Sequence, residues 1–256
     1  MKISAVFFDI DGTIQTFENP PRIPESTMIA LRKMKEKGIK LFIATGRPKC
    51  ALEDFQKICD FEFDGWVTMN GQYVYTKDQL IRSLTIPSVQ LEPALNYLES
   101  HSIFSNFATQ ERIVSNSSNY PEFAYKGEVW EKKQILDHNI YQMMVYLEEG
   151  NPEEEGFFDI LTSCKSARWH PSFMDVIPKD GGKNKGIDAI LEHFGIPLAE
   201  TIAFGDGGND IAMLEHVAIG IAMGNARDNV KEKADYVTSN IEDNGIYNAC
   251  KYFGII

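Results

Sequence analysis

Ile3-Ser4-Ala5-Val6-Phe7-Phe8-Asp9-Ile10-Asp11-Gly12-Thr13 is the stretch that decides the fold. Ile3 to Phe8 is an apolar run of strand length, broken only by Ser4. Such a run suits a strand buried on both faces of a parallel sheet. It stops at two aspartates, a glycine and a threonine. In an open parallel sheet ligands bind just beyond the carboxyl ends of the strands, which is where these four residues fall.

Outward from there the chain alternates strand and helix. Pro24-Glu25-Ser26 opens a helical pattern through Met28, Leu31 and Met34 that ends at Gly38. Ile39 to Ala44 reads as a second buried strand, Pro48 starts another helix, and Trp66 to Met69 reads as a third strand. Asn70-Gly71 then signals a hairpin turn. The same grammar returns late in the chain. Lys183 to Phe194 is helical and closes at Gly195, Thr201 to Phe204 and Val217 to Ala222 read as strands, and Asn209 to Glu215 and Arg227 to Ala234 as helices. This order predicts an α/β fold, a Rossmann-like doubly wound parallel sheet.

Between the two halves lie about a hundred residues, too many for a crossover connection. The expected organisation is a core of residues 1–81 plus 179–256 and an inserted α+β cap domain over 82–178. Within the insert, Val89 to Ser100 reads as a helix. Arg112 to Ser115, Tyr141 to Leu147, Phe157 to Thr162 and Phe173 to Ile177 read as strands. Pro87 on one side, and Pro178 with Gly181-Gly182 on the other, read as hinges. Glu148 to Glu155 reads as an acidic surface hairpin loop, Glu131-Lys132-Lys133 as a solvated helix face, and Met143-Met144 with the aromatics from Tyr120 to Trp130 as cap core.

Composition narrows the function. The 256 residues carry 25 Lys+Arg against 37 Asp+Glu, a formal charge of −12, which disfavours nucleic acid or an anionic membrane surface as partner. No apolar run approaches the ~20 residues of a bilayer span. Cys50, Cys59, Cys164 and Cys250 have no metal or disulfide spacing, so a reducing cytoplasm is the expected location. Nothing in the sequence calls for an obligate protein partner.

The polar residues that follow the apolar strands converge on one sheet edge. They are Asp9 and Asp11, then Thr45-Gly46-Arg47, then Gly205-Asp206-Gly207-Gly208-Asn209-Asp210, with Lys183 and Lys185 opening the preceding helix. Four carboxylates in a partly dry cleft are costly without compensation, several kcal/mol per unpaired ion. A divalent cation and a lysine would offset much of that. Carboxylate oxygens without His or Cys select a hard ion, Mg²⁺ first. Mg²⁺ keeps company with phosphate oxygens, which Thr45 and the Gly46 amide could hold. The site reads as phosphoryl transfer.

These four clusters, in this order, resemble the four motifs of the haloacid dehalogenase superfamily. The insert lies where members with a C2-type cap carry theirs. Phe8 to Thr13, Ile43-Ala44-Thr45-Gly46-Arg47-Pro48, Met69-Asn70-Gly71 and Ala222-Met223-Gly224-Asn225-Ala226 further resemble the Cof-type, class IIB subgroup. The resemblance implies a Mg²⁺-dependent phosphatase of small phosphomonoesters, sugar phosphates foremost, with an aspartyl-phosphate intermediate. It implies Asp9 as nucleophile and Asp11 as general acid/base. Lys183 would neutralise the developing charge. Thr45, Gly46 and Arg47 would face the phosphoryl group or its loop, and Asn209 the substrate or a metal water. The implied metal ligands are Asp9, the Asp11 backbone carbonyl, Asp206 and, from behind or through water, Asp210.

Lys185 abuts Gly186, as in some members, but Lys183 has the family spacing to Gly195 and is the expected catalytic lysine. Arg168 and His170 lie where the family presents cap residues to the leaving group. Two other readings stay open: a phosphotransferase or sugar phosphomutase of the same superfamily, and a low-turnover phosphoester-binding regulator. An intact nucleophile with an acid/base beside it argues against the last, since a binder needs neither.

Overall fold

The computed structural model describes residues 2–256. The first part of the chain forms β1 (Ala5–Phe8), α1 (Glu25–Glu36), β2 (Lys40–Ala44), α2 (Glu53–Ile58), β3 (Gly65–Thr68), β4 (Tyr73–Tyr75) and β5 (Leu80–Ser83). The insert forms α3 (Ser88–Ser100), β6 (Ser105–Ala108), β7 (Ile113–Ser115), β8 (Glu128–Val129), α4 (Lys132–Leu136), β9 (Gln142–Val145), α5 (Glu153–Ile160), β10 (Cys164–His170) and β11 (Phe173–Pro178). The return to the core forms α6 (Lys183–Phe194), β12 (Thr201–Gly205), α7 (Ile211–Leu214), β13 (Ile219–Ala222), α8 (Asp228–Lys231), β14 (Tyr236–Val237) and α9 (Gly245–Tyr252).

The core sheet runs β14-β13-β12-β1-β2-β3-β4-β5, with all neighbours parallel from β14 to β3 and β4 and β5 added antiparallel at one edge. The chain starts in the middle at β1, winds out through β2 and β3, and later returns to the other side of β1 through β12. The winding therefore reverses at β1, the place where a doubly wound sheet opens a crevice. Alternate residues of β1 serve opposite faces. Phe8 stacks on Phe204 in the layer closed by α1 and α9, and Phe7 stacks on Phe42 in the layer closed by α6 and α7. Burial on both faces is the reason the strand reads as an unbroken apolar run.

The insert builds a second sheet, β10-β11-β9-β6-β7-β8, mostly antiparallel. Its helices α3, α4 and α5 cover one face, burying Leu91, Leu95, Leu98, Ile135 and Phe157 against Phe107, Met143, Val145, Met174 and Val176. The other face looks at the core. Arg82 and Ser83 stay in the core sheet as part of β5, two residues beyond the expected boundary at 81.

Several local expectations change. Phe157 to Thr162 is not a strand: Phe157–Ile160 close α5. Glu153 to Glu155 form the first turn of that helix rather than a hairpin loop. A short apolar run does not distinguish strand from helix, while three acids at a helix N-terminus favour the helix through its dipole. Met143 joins the cap core, but Met144 is buried on the opposite face beside Asp175. Of the aromatics from Tyr120 to Trp130, Trp130 packs in the cap core, whereas Phe123 and Tyr125 are exposed. β6 and the C-terminal α9 have no counterpart in the sequence reading.

Candidate active site

Register sets the site. Phe8 pairs with Phe204 on one side and Ile43 on the other, so Asp9, Thr45 and Asp206 emerge at nearly the same height from three adjacent strands. Asp9, Asp206 and Asp210 each offer a carboxylate oxygen within 4.8 Å of the others. Lys183, at the first position of α6, has a fully buried side chain. Its ammonium donates to Asp9 Oδ1 at 2.6 Å and to Asp210 Oδ1 at 2.5 Å. The other oxygen of Asp210 accepts the backbone N–H groups of Asp206 and Gly207, both at 2.9 Å. Asp210 thereby shapes the loop that carries Asp206. Lys185 is half exposed and pairs with Asp188.

Thr13 donates to Asp206 Oδ1 at 2.9 Å, leaving the second oxygen of Asp206 facing Gly12. Gly12 has φ +78°, and a Cβ there would meet that oxygen at 2.2 Å, so no larger residue fits between the two acidic loops. Gly208 answers to the cap: a Cβ would strike the Arg168 carbonyl oxygen at 2.5 Å. β10 thus lies directly on the Gly205–Asp210 loop.

Among the described residues the charge of this cluster does not balance. Three carboxylates and one ammonium leave two negative charges buried together. Burial, then the neighbouring Asp210, pushes the Asp9 carboxyl well above the usual range despite Lys183. Burial, then Asp9 and Asp210, does the same to Asp206. Burial alone would lower Lys183, but Asp210 and Asp9 together raise it, and it stays protonated. An all-oxygen donor set with an excess of two negative charges fits a hard divalent cation.

Asp11 stands apart from that cluster. Arg47 Nε donates to its Oδ2 at 2.8 Å and Nη2 to its Oδ1 at 2.5 Å. Thr45 is buried, its N–H donating to Val67 O at 2.8 Å and its hydroxyl oxygen accepting from Arg47 N at 3.1 Å. Asn209 is turned toward the cap side of the cleft, donating to Asn70 Oδ1 at 2.9 Å.

Of the two cap residues singled out in the sequence, Arg168 is committed to structure. Its guanidinium donates to the carbonyls of Leu147, Pro171 and Phe173 and pairs with Glu154. His170 packs against Phe123, Trp169 and Phe173, and burial with nearby Arg227 lowers its pKa. Two cap side chains that the sequence reading did not single out meet the core at Asn70 and Gly46. Asp175 accepts from Asn70 Nδ2 at 2.9 Å, and Gln142 accepts from the same amide at 3.0 Å while donating to Gly46 O at 3.2 Å. Burial raises Asp175 to about 7, against hydrogen bonds from Asn70 and Trp169. Its signal in the sequence was one acid in the middle of the apolar run Phe173-Met174-Asp175-Val176-Ile177.

A family model described as haloacid dehalogenase-like hydrolase matches residues 6–250. The chain belongs to the haloacid dehalogenase-like hydrolases. This hydrolase is 38% identical to the subclass IIB sugar phosphatase BT4131, covering 99% of its own chain and 100% of that one, with a TM-score of 0.87. The phosphatase BT1666 from Bacteroides thetaiotaomicron is 28% identical, with 100% and 96% covered and a TM-score of 0.89. The putative phosphatase YkrA of Bacillus subtilis is 29% identical over the whole of both chains. The 5-amino-6-(5-phospho-D-ribitylamino)uracil phosphatase YcsE of the same organism is 25% identical over 98% and 96% of the two chains. The hydrolase is a phosphatase of this superfamily with the Cof-type, subclass IIB architecture, and its acidic cluster is consistent with the family metal site. Among the described residues no helix is long and apolar enough to cross a membrane.

Proposed function

We propose that this phosphatase hydrolyses small phosphomonoesters of hydroxyl-rich alcohols, sugar phosphates foremost, through a phosphoryl group carried on Asp9. The carrying observation is the Lys183 ammonium, fully buried between Asp9 and Asp210, beside an Asp206 that has no ion-pair partner among the described residues. Mg²⁺ held by Asp9, Asp206 and the Asp11 backbone carbonyl would supply the missing positive charge at the phosphoryl oxygens. Asp210 holds Lys183 and the Asp206 loop in place behind it.

The chain's own residues account for the rest. A carboxylate oxygen of Asp9 attacks phosphorus in line, and the bond from phosphorus to the ester oxygen breaks. Asp11, with one oxygen released from Arg47 and protonated from solvent, gives that proton to the ester oxygen, and the alcohol leaves. Asp11 then takes a proton from a water whose oxygen attacks phosphorus. The aspartyl–phosphate bond breaks, releasing inorganic phosphate and restoring Asp9. Lys183 stabilises the charge on Asp9 and the phosphoryl group throughout. Thr45 and the Gly46 N–H, at the end of the strand next to that of Asp9, would hold phosphoryl oxygens. Arg47 orients Asp11. The similarity to a sugar phosphatase, and to an enzyme whose named substrate carries a phosphorylated ribityl chain, supports a polyol leaving group.

A phosphoester panel with purified protein tests this. Mg²⁺-dependent release of inorganic phosphate from sugar monophosphates, abolished by EDTA, is expected. Isomerised sugar phosphate in place of free phosphate would mark a phosphotransferase instead. Mg²⁺-dependent binding without turnover would mark a regulator.

A further inference from the structure

Lys183 is the first residue of α6, and the chain reaches it from the cap through a short strap, residues 179–182, that follows β11. The strap is closely seated on the core. A Cβ on Gly181 would meet the Gln72 amide at 2.1 Å, and a Cβ on Gly71 would meet the Gly182 carbonyl oxygen at 2.1 Å. Polar side chains hold it from both sides. From the core, Arg82 of β5 donates through Nη2 to Asp180 O at 2.8 Å and through Nε to Gly71 O at 3.2 Å. From the cap, Lys165 of β10 donates to Gly181 O at 2.8 Å.

Stability alone does not account for Lys165. Its side chain is half-buried, and among the described residues no carboxylate lies within ion-pair distance of it. An ammonium that gives up water for one neutral carbonyl gains little in return. It also stands at the N-terminal end of α6, where the helix dipole disfavours a cation. A Cβ on Gly182 would lie 3.6 Å from Lys165 Nζ and 2.5 Å from Asn184 Oδ1, a buried oxygen with no hydrogen-bond partner. Lys165 therefore faces the residue before Lys183 and the residue after it. The same strand reaches the other side of the acidic cluster. The Arg168 carbonyl oxygen lies 2.5 Å from a Cβ on Gly208, in the loop that ends at Asp210, the partner of Lys183. β10 thus touches both backbone segments from which the Lys183–Asp210 pair projects.

We infer that Lys165 and Arg82 are positioning residues for the reaction. Gripping the strap from the cap and from the core, they fix the start of α6 and so hold the Lys183 ammonium against Asp9 and Asp210. This inference rests on the phosphatase reading above, in which Lys183 stabilises the phosphoryl charge, and adds two residues that act through Lys183. Neither touches the ester. A charged group displaced by about 1 Å from its working place can cost about 100-fold in rate, so loosening the strap should register in turnover.

The test measures kcat, KM and Tm for the wild type, Lys165→Met and Arg82→Met, with Mg²⁺, on p-nitrophenyl phosphate and on a sugar monophosphate. Each substitution keeps an unbranched stem and deletes the donor. Each should lower kcat at least about tenfold, by a similar factor on both esters, because Lys183 serves the phosphoryl group that the esters share. KM should stay close to the wild-type value, as expected for an interaction that matters in the transition state. Unchanged kcat with a lowered Tm would make the two residues structural and overturn the inference. A loss confined to the sugar monophosphate would make Lys165 a contact to the leaving group and overturn it as well. If Lys165→Met does not fold, Arg82→Met puts the same question from the core side. Failure of the parent reading looks different: the wild type itself would release no phosphate from either ester in the presence of Mg²⁺.

Discussion

Arg47 grips Asp11 through two parallel hydrogen bonds, Nε to Oδ2 at 2.8 Å and Nη2 to Oδ1 at 2.5 Å. The planar fork fixes the plane of the carboxylate as well as its position. If Arg47 acts through Asp11, the two should behave as one unit. Arg47→Ala is expected to lower kcat on the order of tenfold to a hundredfold, from a misplaced acid/base. Asp11→Asn should cost more, and the double variant little beyond Asp11→Asn alone. A double-mutant cycle in kcat reads this directly. Additive losses would show that Arg47 works on the substrate by itself.

Among the described residues Lys183 is the only cation inside the acidic cluster, so its removal should cost stability as well as turnover. Lys183→Met keeps the bulk and deletes the charge, leaving Asp9 and Asp210 buried without it. Breaking a buried pair on one side costs about 3–5 kcal/mol. Urea unfolding of the metal-free protein should show a loss of that order, and phosphatase activity should vanish. Lys185→Met, on the exposed part of the same helix turn, should change neither.

The same charge excess makes metal-free stability depend on pH with a definite sign. Asp9 and Asp206 have carboxyl pKa values raised by burial above those of the unfolded chain. The folded state therefore binds more protons than the unfolded state at intermediate pH. Their contribution is fullest below the ordinary carboxylate range near 4 and fades as pH rises through their raised values. In EDTA, Tm should fall between pH 5.5 and pH 8.5. Added Mg²⁺ should raise Tm most at the alkaline end, where the carboxylates are free to bind it. A metal-free Tm that climbs over this range would contradict the assignment.

Gly208 tests the seating of the cap. A methyl group there would meet the Arg168 backbone oxygen at 2.5 Å, so the loop or β10 must shift to admit it. Gly208→Ala should displace β10 from the loop and lower kcat/KM on sugar phosphates by at least about tenfold, since small misplacements near the reacting groups are costly. Steady-state kinetics on a sugar monophosphate checks it, and unaltered kinetics would show that the cap does not need that contact.

Much of this was legible in the sequence, for a physical reason. β1, β2 and β12 are buried on both faces and read as apolar runs, so the polar residues just after them marked the cleft. Lys183 was preferred to Lys185 because its spacing to Gly195 resembles the family's; the two lie in different surroundings, one buried between carboxylates and the other paired with Asp188 at the surface. The cap was harder. Phe157 to Thr162 was too short to tell strand from helix, and the packing of Phe157 under α3 decided it. Arg168 was singled out by its position in the cap, where the family presents residues to the leaving group; its guanidinium bonds four backbone carbonyls and Glu154. Asp175, Gln142 and Asn70 meet across 105 and 72 residues of chain, and no local pattern encodes such a meeting.

The central claim is that phosphorus becomes bonded to Asp9. Acid quenching within the first turnovers on a ³²P-labelled phosphomonoester, followed by peptide mapping, measures it. The expected result is label on the peptide containing Asp9, released by hydroxylamine and absent from Asp9→Asn, which should also be folded and inactive. An Asp9→Asn enzyme that still turns over at near the wild-type rate, or label carried on another residue, would contradict it.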